Sequence, residues 1–398
     1  MKNRTKKKKP KMRRLKAALL AHRGAGADQC KEGEAKLLSL VDVECVEIVN
    51  TEAELLFFLS GGSEALAVDM LKPDKFYVLL ACKEGNSFAS ATEVKAYANQ
   101  RGIRTVLLDY DQPETAGFLK KFTQVMDGLH RLKGQRLGLI GEVSEWLAAS
   151  TIAPERLQEK LGIELQRFPW NSLENFQEQD ADTALFENFH SSHFNLQDTA
   201  KVYRVLRNCI RTQRLDAITV ECFSLVVEHA VTACLPLAQL NTDGLPAGCE
   251  GDICSATGMM LVRALTGLVP WIANTVHVGD SHAIFAHCTA PLNLLRDFSI
   301  VTHFETGQGT AIRGQWEADD VLLFRLDATL TKAFLTRAEV LERPQLTQAC
   351  RTQIEVALRP DAATALRERP LGNHHLILPA DYADVLNLAC RVLGLELQ

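Results

Sequence analysis

The 398-residue sequence has no apolar run long and clean enough to cross a bilayer, so nothing in it reads as a membrane span. It has no C-x-x-C and no paired short cysteine spacing, which argues against a zinc ribbon or a redox dithiol. Its eleven cysteines lie scattered in apolar segments. They read as reduced core thiols of a cytoplasmic protein, with disulfides not expected. No G-x-G-x-x-G follows the first strand, so Gly61–Gly62 is a turn and not a dinucleotide fingerprint. No G-x-S-x-G surrounds Ser144, which reads as a helix cap and not as a nucleophile. The opening MKNRTKKKKPKMRRLK lacks the apolar core of a secretory signal. It reads as a disordered basic arm over residues 1–16, either solvated or touching an anionic surface or nucleic acid. The net charge of −5 argues against nucleic acid as the main partner.

What is present is the alternation of an α/β fold. LKAALLAH reads as a strand, DQCKEGEAKLLSLV as a helix, VECVEIV as a strand and EAELLFFLS as a helix. KFYVLLAC and IRTVLLDY read as strands around the helix ATEVKAYANQRG. These segments predict a doubly wound, Rossmann-like domain over residues 17–135. The pattern restarts with KGQRLGLIGEVSEWLAAS, a strand and then a helix from near Ser144. It continues through GIELQRF, the helix TAKVYRVLRNCIRTQR and DAITVECFS, predicting a second such domain over 136–295. VPWIANTVHV and HAIFAHC read as buried strands within it. Residues 296–398 read as a β-rich, barrel-like domain that ends in an amphipathic helix.

Three polar spots interrupt apolar surroundings in the second half. In LPAGCEGDICSATGMMLVRALTG, Glu250 and Asp252 stand where an apolar helix should begin. Acids there complement the helix dipole and cap free N–H groups, or one of them faces a pocket. Asn274 lies in WIANTVHV and His287 in IFAHCTAP, each either satisfied within a core or turned to a site. His374 and His375 follow a glycine turn in GNHHL, as ligands or as surface residues. One carboxylate with two imidazoles suits a divalent ion of the Mn²⁺ or Fe²⁺ kind. Trp146 is a candidate for packing against a sugar or, equally, for the core. Glu221 ends a strand where open α/β sheets bind ligands. Arg325 and Arg351 read as anchors of the β-rich domain.

The segments GLIGEVSEWLAAS, ITVECFSLV, GLPAGCEGDICSATGMMLVRALTG, PWIANTVHV, IFAHCTAP, CRTQIEV and GNHHLIL, in this order, resemble the L-fucose isomerase-like family, itself related to L-arabinose isomerase. The resemblance implies two Rossmann-like domains and a β-rich C-terminal domain, assembled as a homo-oligomer, trimer or hexamer. It implies aldose–ketose isomerisation of an open-chain sugar through an enediol, with Mn²⁺. By the same resemblance Glu250 is metal ligand and proton carrier, His287 and His374 are metal ligands, and Asn274 stands where the isomerases have a catalytic acid. Asn offers a neutral oxygen but accepts no proton, and Asp252 and Asp280 are the substitutes within reach of the sequence. The rival expectations are a sugar-binding relative that has lost catalysis, and a metal-assisted lyase or transferase on a related sugar.

Overall fold

The computed structural model describes residues 12–181, 194 and 196–398. Residues 1–11 of the basic arm fall outside them. The arm also ends sooner than expected, because Leu15 and Lys16 already pair with Val46 and Glu47 in the first strand. By their contacts the residues form two compact units. One runs through His130 and takes in Arg391–Gly394, and the other holds Arg131–Cys390 and Leu395–Gln398.

In the first unit β1 (Leu15–Leu20), α1 (Ala27–Leu40), β2 (Val46–Ile48), β3 (Leu55–Phe58), α2 (Glu64–Met70), β4 (Phe76–Ala81), α3 (Ser87–Gln100), β5 (Arg104–Asp109) and α4 (Glu114–Leu132) follow in order. The strands make a parallel sheet in the order β2-β1-β3-β4-β5, a doubly wound order. EAELLFFLS is the strand β3, not a helix. Its Leu55–Phe58 core is buried on both faces, and a short apolar run of that kind has no period that separates strand from helix.

The second unit begins with β6 (Arg136–Ile140), α5 (Pro154–Leu161), β7 (Glu164–Phe168), α6 (Leu196–Gln213), β8 (Ala217–Val220), α7 (Phe223–His229), α8 (Cys234–Thr242), β9 (Ala247–Cys249) and α9 (Ile253–Thr266). Its parallel sheet has the order β7-β6-β8-β9. No helix starts at Ser144. Residues 141–153 are a loop, and Pro154 opens α5 instead. Then come β10 (Trp271–Val278), β11 (His282–His287), β12 (Leu295–Val301), β13 (Ala311–Trp316), β14 (Asp320–Leu326), β15 (Lys332–Glu342), β16 (Thr352–Ala357), α10 (Pro360–Glu368), β17 (His374–Pro379), α11 (Ala383–Leu393) and β18 (Glu396–Leu397).

β14, β17, β10, β11, β16 and β15 are neighbours in that order, and β14 also pairs with β15, so the largely antiparallel sheet closes on itself like a barrel. β10 and β11, expected among the strands of the second α/β unit, pair with β17 and β16 and so belong to this sheet. The helix α9 is buried along almost its whole length and lies against β17. A Cβ on Gly258 would stand 2.7 Å from Leu376 Cδ1, so the close approach depends on the glycine.

Candidate active site

Glu250 sits in the turn between β9 and α9, at the carboxyl end of the parallel sheet where open α/β folds place ligands. Its φ of 60° is left-handed, a conformation that costs a non-glycine residue about 1–3 kcal/mol. The turn is held from several sides. Gly251 N–H donates to Val220 O (3.1 Å), Ser144 N–H to Glu250 O (3.0 Å), and Ile253 and Cys254 N–H to Ser150 O (3.1 and 3.2 Å). Gly251 permits the contact with the loop after β6, because a Cβ there would lie 2.3 Å from Glu142 O.

The barrel-like sheet brings two imidazoles to this carboxylate. His287 closes β11 and His374 opens β17. Glu250 Oε1 lies 3.7 Å from the Nε2 atom of each, and the two rings meet edge to face with centroids 5.5 Å apart. One ligand atom from each of the three residues falls within 4.8 Å of the others. Both Nε2 atoms are buried without a hydrogen-bond partner. A distance of 3.7 Å is too long for a hydrogen bond. Donors about 2.1 Å from one ion stand about 3–3.5 Å apart, so the gap and the donor set suit a small divalent cation.

The far sides of the rings are anchored. His374 Nδ1 lies 2.8 Å from Asp252 Oδ2, and since a carboxylate can only accept, Nδ1 donates and Nε2 is turned to the centre. His287 Nδ1 lies 3.1 Å from Thr289 Oγ1. Asp252 also caps α9, accepting from Ser255 N–H (2.7 Å), and pairs with the buried Arg325 at 3.5 Å. Arg325 donates to His374 O (2.5 Å) and Ser150 Oγ (3.0 Å), so it anchors the histidine strand at the site itself.

Burial works against the charge on Glu250, but the facing His287 and His374 outweigh it and hold the carboxyl well below its usual range. Burial likewise opposes the Asp252 charge, and Arg325 and His374 bring that carboxyl down to about 2. For His374 burial is outweighed by Asp252 and Glu250, which raise it to about 9. His375 is the opposite case. Burial and the Arg325 charge lower it to about 3, and its ring packs edge-on against Phe285 and Phe334, away from the triad.

The remaining expected residues divide. Trp146 is 55% exposed and donates its indole N–H to Glu250 Oε2 at 2.5 Å. It lines a cavity of about 920 Å³ with Ser144, Trp170, Phe176 and Phe223. Ser144 caps no helix, and its hydroxyl is buried without a partner. Glu221 borders the same cavity, but its carboxylate is taken up in capping α7, accepting from Phe223 N–H (2.9 Å), Ser224 N–H (3.1 Å) and Ser224 Oγ (2.5 Å).

Asn274 lies directly across from His374 in the sheet. Its oxygen accepts from Asn373 Nδ2 (2.7 Å) and its nitrogen faces Cys350 Sγ at 3.8 Å. Asp280 pairs with Arg367 on the surface. Arg351 holds the loop after β12, donating to Thr302 O at 2.8 Å. The sequence reading passed over His303 and Glu305 in that loop; the glycine-rich stretch THFETGQGT was the signal that it is a loop and not a strand.

No protein-family model matches the chain. It is 23% identical over 296 residues to the sulfoquinovose isomerases of Priestia aryabhattai and Priestia megaterium (strain ATCC 12872 / QMB1551), which covers 68% of this chain and 66% of each relative. It is 20% identical over 339 residues to the sulfoquinovose isomerase of Clostridium sp. (strain MSTE9), covering 78% of the chain and 74% of that protein. The match thus spans slightly less than two thirds of the length of the Priestia relatives. All three relatives carry the name sulfoquinovose isomerase.

Proposed function

We propose that the chain is a divalent-cation-dependent aldose–ketose isomerase of an open-chain sugar, with its centre at Glu250, His287 and His374. The observation that carries the reading is the convergence of two buried, unpartnered imidazole nitrogens on one carboxylate oxygen. The named relatives support the reaction class.

Conversion of aldose to ketose moves one hydrogen from C2 to C1 and one from O2 to O1, with no net gain or loss. Glu250, His287 and His374 would hold Mn²⁺ or a similar ion, whose contribution is Lewis-acid stabilisation of the charge that builds on O1 and O2. Glu250 carries the proton between the carbons, and Trp146 orients its carboxylate through the indole N–H. The exposed face of Trp146 suits the C–H surface of a sugar in the adjoining cavity. His287 and His374 are held in place by Thr289 and Asp252.

The test combines metal content with hydrogen exchange. The purified chain, stripped with chelator and recharged with Mn²⁺, is expected to bind one ion and to exchange the C1 or C2 hydrogen of at least one sugar in a panel followed by NMR in D₂O. Glu250→Ala is expected to lose both. Stoichiometric metal in that variant would refute the centre. A second reading, a sugar binder without catalysis, is favoured by Asn274, whose oxygen is already engaged by Asn373. Sugar binding without any exchange would decide for it.

A further inference from the structure

We propose that the pocket between Arg313, Arg343 and Arg351 is a second binding site, for a phosphate group that is either free or carried by a small metabolite. It shares no lining residue with the cavity beside Trp146 and none with the Glu250–His287–His374 centre, and it is independent of the isomerase reading.

The pocket lies where strand ends meet in the β-rich part of the second unit. β12 and β13 pair with Ser299 directly across from Arg313, Arg343 follows the end of β15, and Arg351 precedes β16. Thr352 ties these pieces together, donating its hydroxyl to Ile312 O (2.8 Å) and accepting from Gly314 N–H (3.0 Å). The cavity holds about 110 Å³ and is lined by Ser299, Arg313, Gln315, Arg343 and Arg351, with Asp297 as the one acid among its described lining residues. A cavity of about 150 Å³ takes up one benzene ring. This one is therefore sized for a single small group and not for a whole sugar.

Two of the guanidinium groups are held stiffly by the backbone around them. Arg343 donates from Nε to Trp316 O (2.6 Å) and from Nη2 to Asp319 Oδ1 (2.7 Å) and Ala318 O (3.1 Å). Arg351 donates from Nε to Thr302 O (2.8 Å) and from Nη2 to Thr302 Oγ1 and His303 O (3.4 Å each). The Nη1 group of each is left without an acceptor among the described residues, and Arg313 has no hydrogen-bond or ion-pair partner there at all, although it is partly buried.

The charge balance is what calls for an anion. Asp319 neutralises Arg343, but neither Arg313 nor Arg351 has a carboxylate within ion-pairing distance among the described residues. Asp297 does not supply one, since its Oδ1 accepts from Phe298 N–H (2.8 Å) and it makes no ion pair there. Two uncompensated positive charges thus border one small space, in a chain whose 49 acids outnumber its 44 lysines and arginines. Like charges partly withdrawn from water repel each other, and a bound anion removes that cost. A phosphate group matches them, with a charge of about −1.5 to −2 near pH 7 and three strong acceptor oxygens. Planar guanidinium forks bind such oxygens in pairs, and the Ser299 hydroxyl and Gln315 amide add neutral donors.

The experiment is isothermal titration of the full-length chain, Mn²⁺-loaded and chelator-treated, with inorganic phosphate and with glucose 6-phosphate at an ionic strength fixed by chloride. Phosphate is expected to bind one equivalent per chain in both forms. Arg313→Gln is expected to weaken it by about 10–100-fold with the melting temperature unchanged, because that side chain holds no other residue in place. Arg296→Gln, on the same hairpin but outside the pocket, is expected to change nothing. Tighter binding of glucose 6-phosphate than of phosphate would assign the site to a metabolite-borne group, and the reverse order to free phosphate; both support the proposal. A chain with no saturable phosphate binding, or binding that Arg313→Gln leaves intact, overturns it. Uptake confined to the Mn²⁺-loaded form overturns it as well, since the metal and not the arginines would then be the binder.

Discussion

Asp252→Asn tests the support of the site most directly. The variant keeps an oxygen that can accept from Ser255 N–H, so the cap of α9 survives. What it removes is the charge opposite Arg325, whose side chain is 1% exposed. Breaking a buried ion pair from one side destabilises a protein by about 3–5 kcal/mol. Arg325 retains His374 O and Ser150 Oγ as acceptors, which places the expected loss near the lower end, about 3 kcal/mol. The bond that orients His374 is weakened at the same time, and loss of such an outer partner lowers metal affinity by about 10–100-fold.

Urea unfolding at pH 7 reads the first effect and isothermal titration with Mn²⁺ the second. Adding Arg325→Met to Asp252→Asn is expected to recover most of the stability, because the orphaned charge is gone, but not the metal affinity. Asp280→Asn, which breaks only a surface pair, is the control and is expected to change neither. An Asp252→Asn protein as stable as wild type and equally tight for Mn²⁺ would refute the reasoning about this network.

Gly251→Ala is expected to destabilise the fold by about 2 kcal/mol or more and to weaken metal binding, because φ is +70° and the new Cβ would meet Glu142 O; thermal melting and Mn²⁺ titration check it. Trp146→Phe removes a hydrogen bond to a charged group worth about 1.5–3 kcal/mol. If that energy acts on the Glu250 carboxylate in the transition state, kcat/KM falls about 10–100-fold while the melting temperature barely moves, and unchanged kinetics would remove Trp146 from the site. Tyr203 is raised by burial, and by the nearby Asp243, from 10.0 to about 12. A group raised on folding contributes stability that is full below pH 10 and lost as pH rises through 12. The loss is about 2.5 kcal/mol, and it should be absent from unfolding curves of Tyr203→Phe over pH 9–12.

Local pattern was enough to read most of the elements. The helices α1, α3, α6 and α11 and the strands β4, β6 and β7 stand where periodicity puts them, because each is long or bounded by turn residues. β3 was misread because four buried apolar residues have no period, and the loop 141–153 because SEWLAAS has a helical composition whose backbone bonds go instead to Glu250 O and the N-terminus of α9. The polar spots at Glu250, His287 and His374 were visible as interruptions of apolar segments, since a buried polar residue needs a reason.

Most of the alternation of strands and helices, β3 and the loop 141–153 apart, and the polar candidates from Glu250 to His375 were legible in the sequence through hydrophobic period and side-chain chemistry, and the family resemblance narrowed those candidates to Glu250, His287 and His374. That these residues meet was decided only by tertiary structure. Residues 250, 287 and 374 are brought within 4.8 Å by a parallel sheet that ends at Glu250 and an antiparallel one that carries both histidines, and pairing between distant strands leaves no trace in local pattern. The same holds for the partners that set the charges. Arg325 lies 73 residues from Asp252 along the chain and 3.5 Å from it in space, and only that proximity turns a helix-capping acid into the anchor of His374.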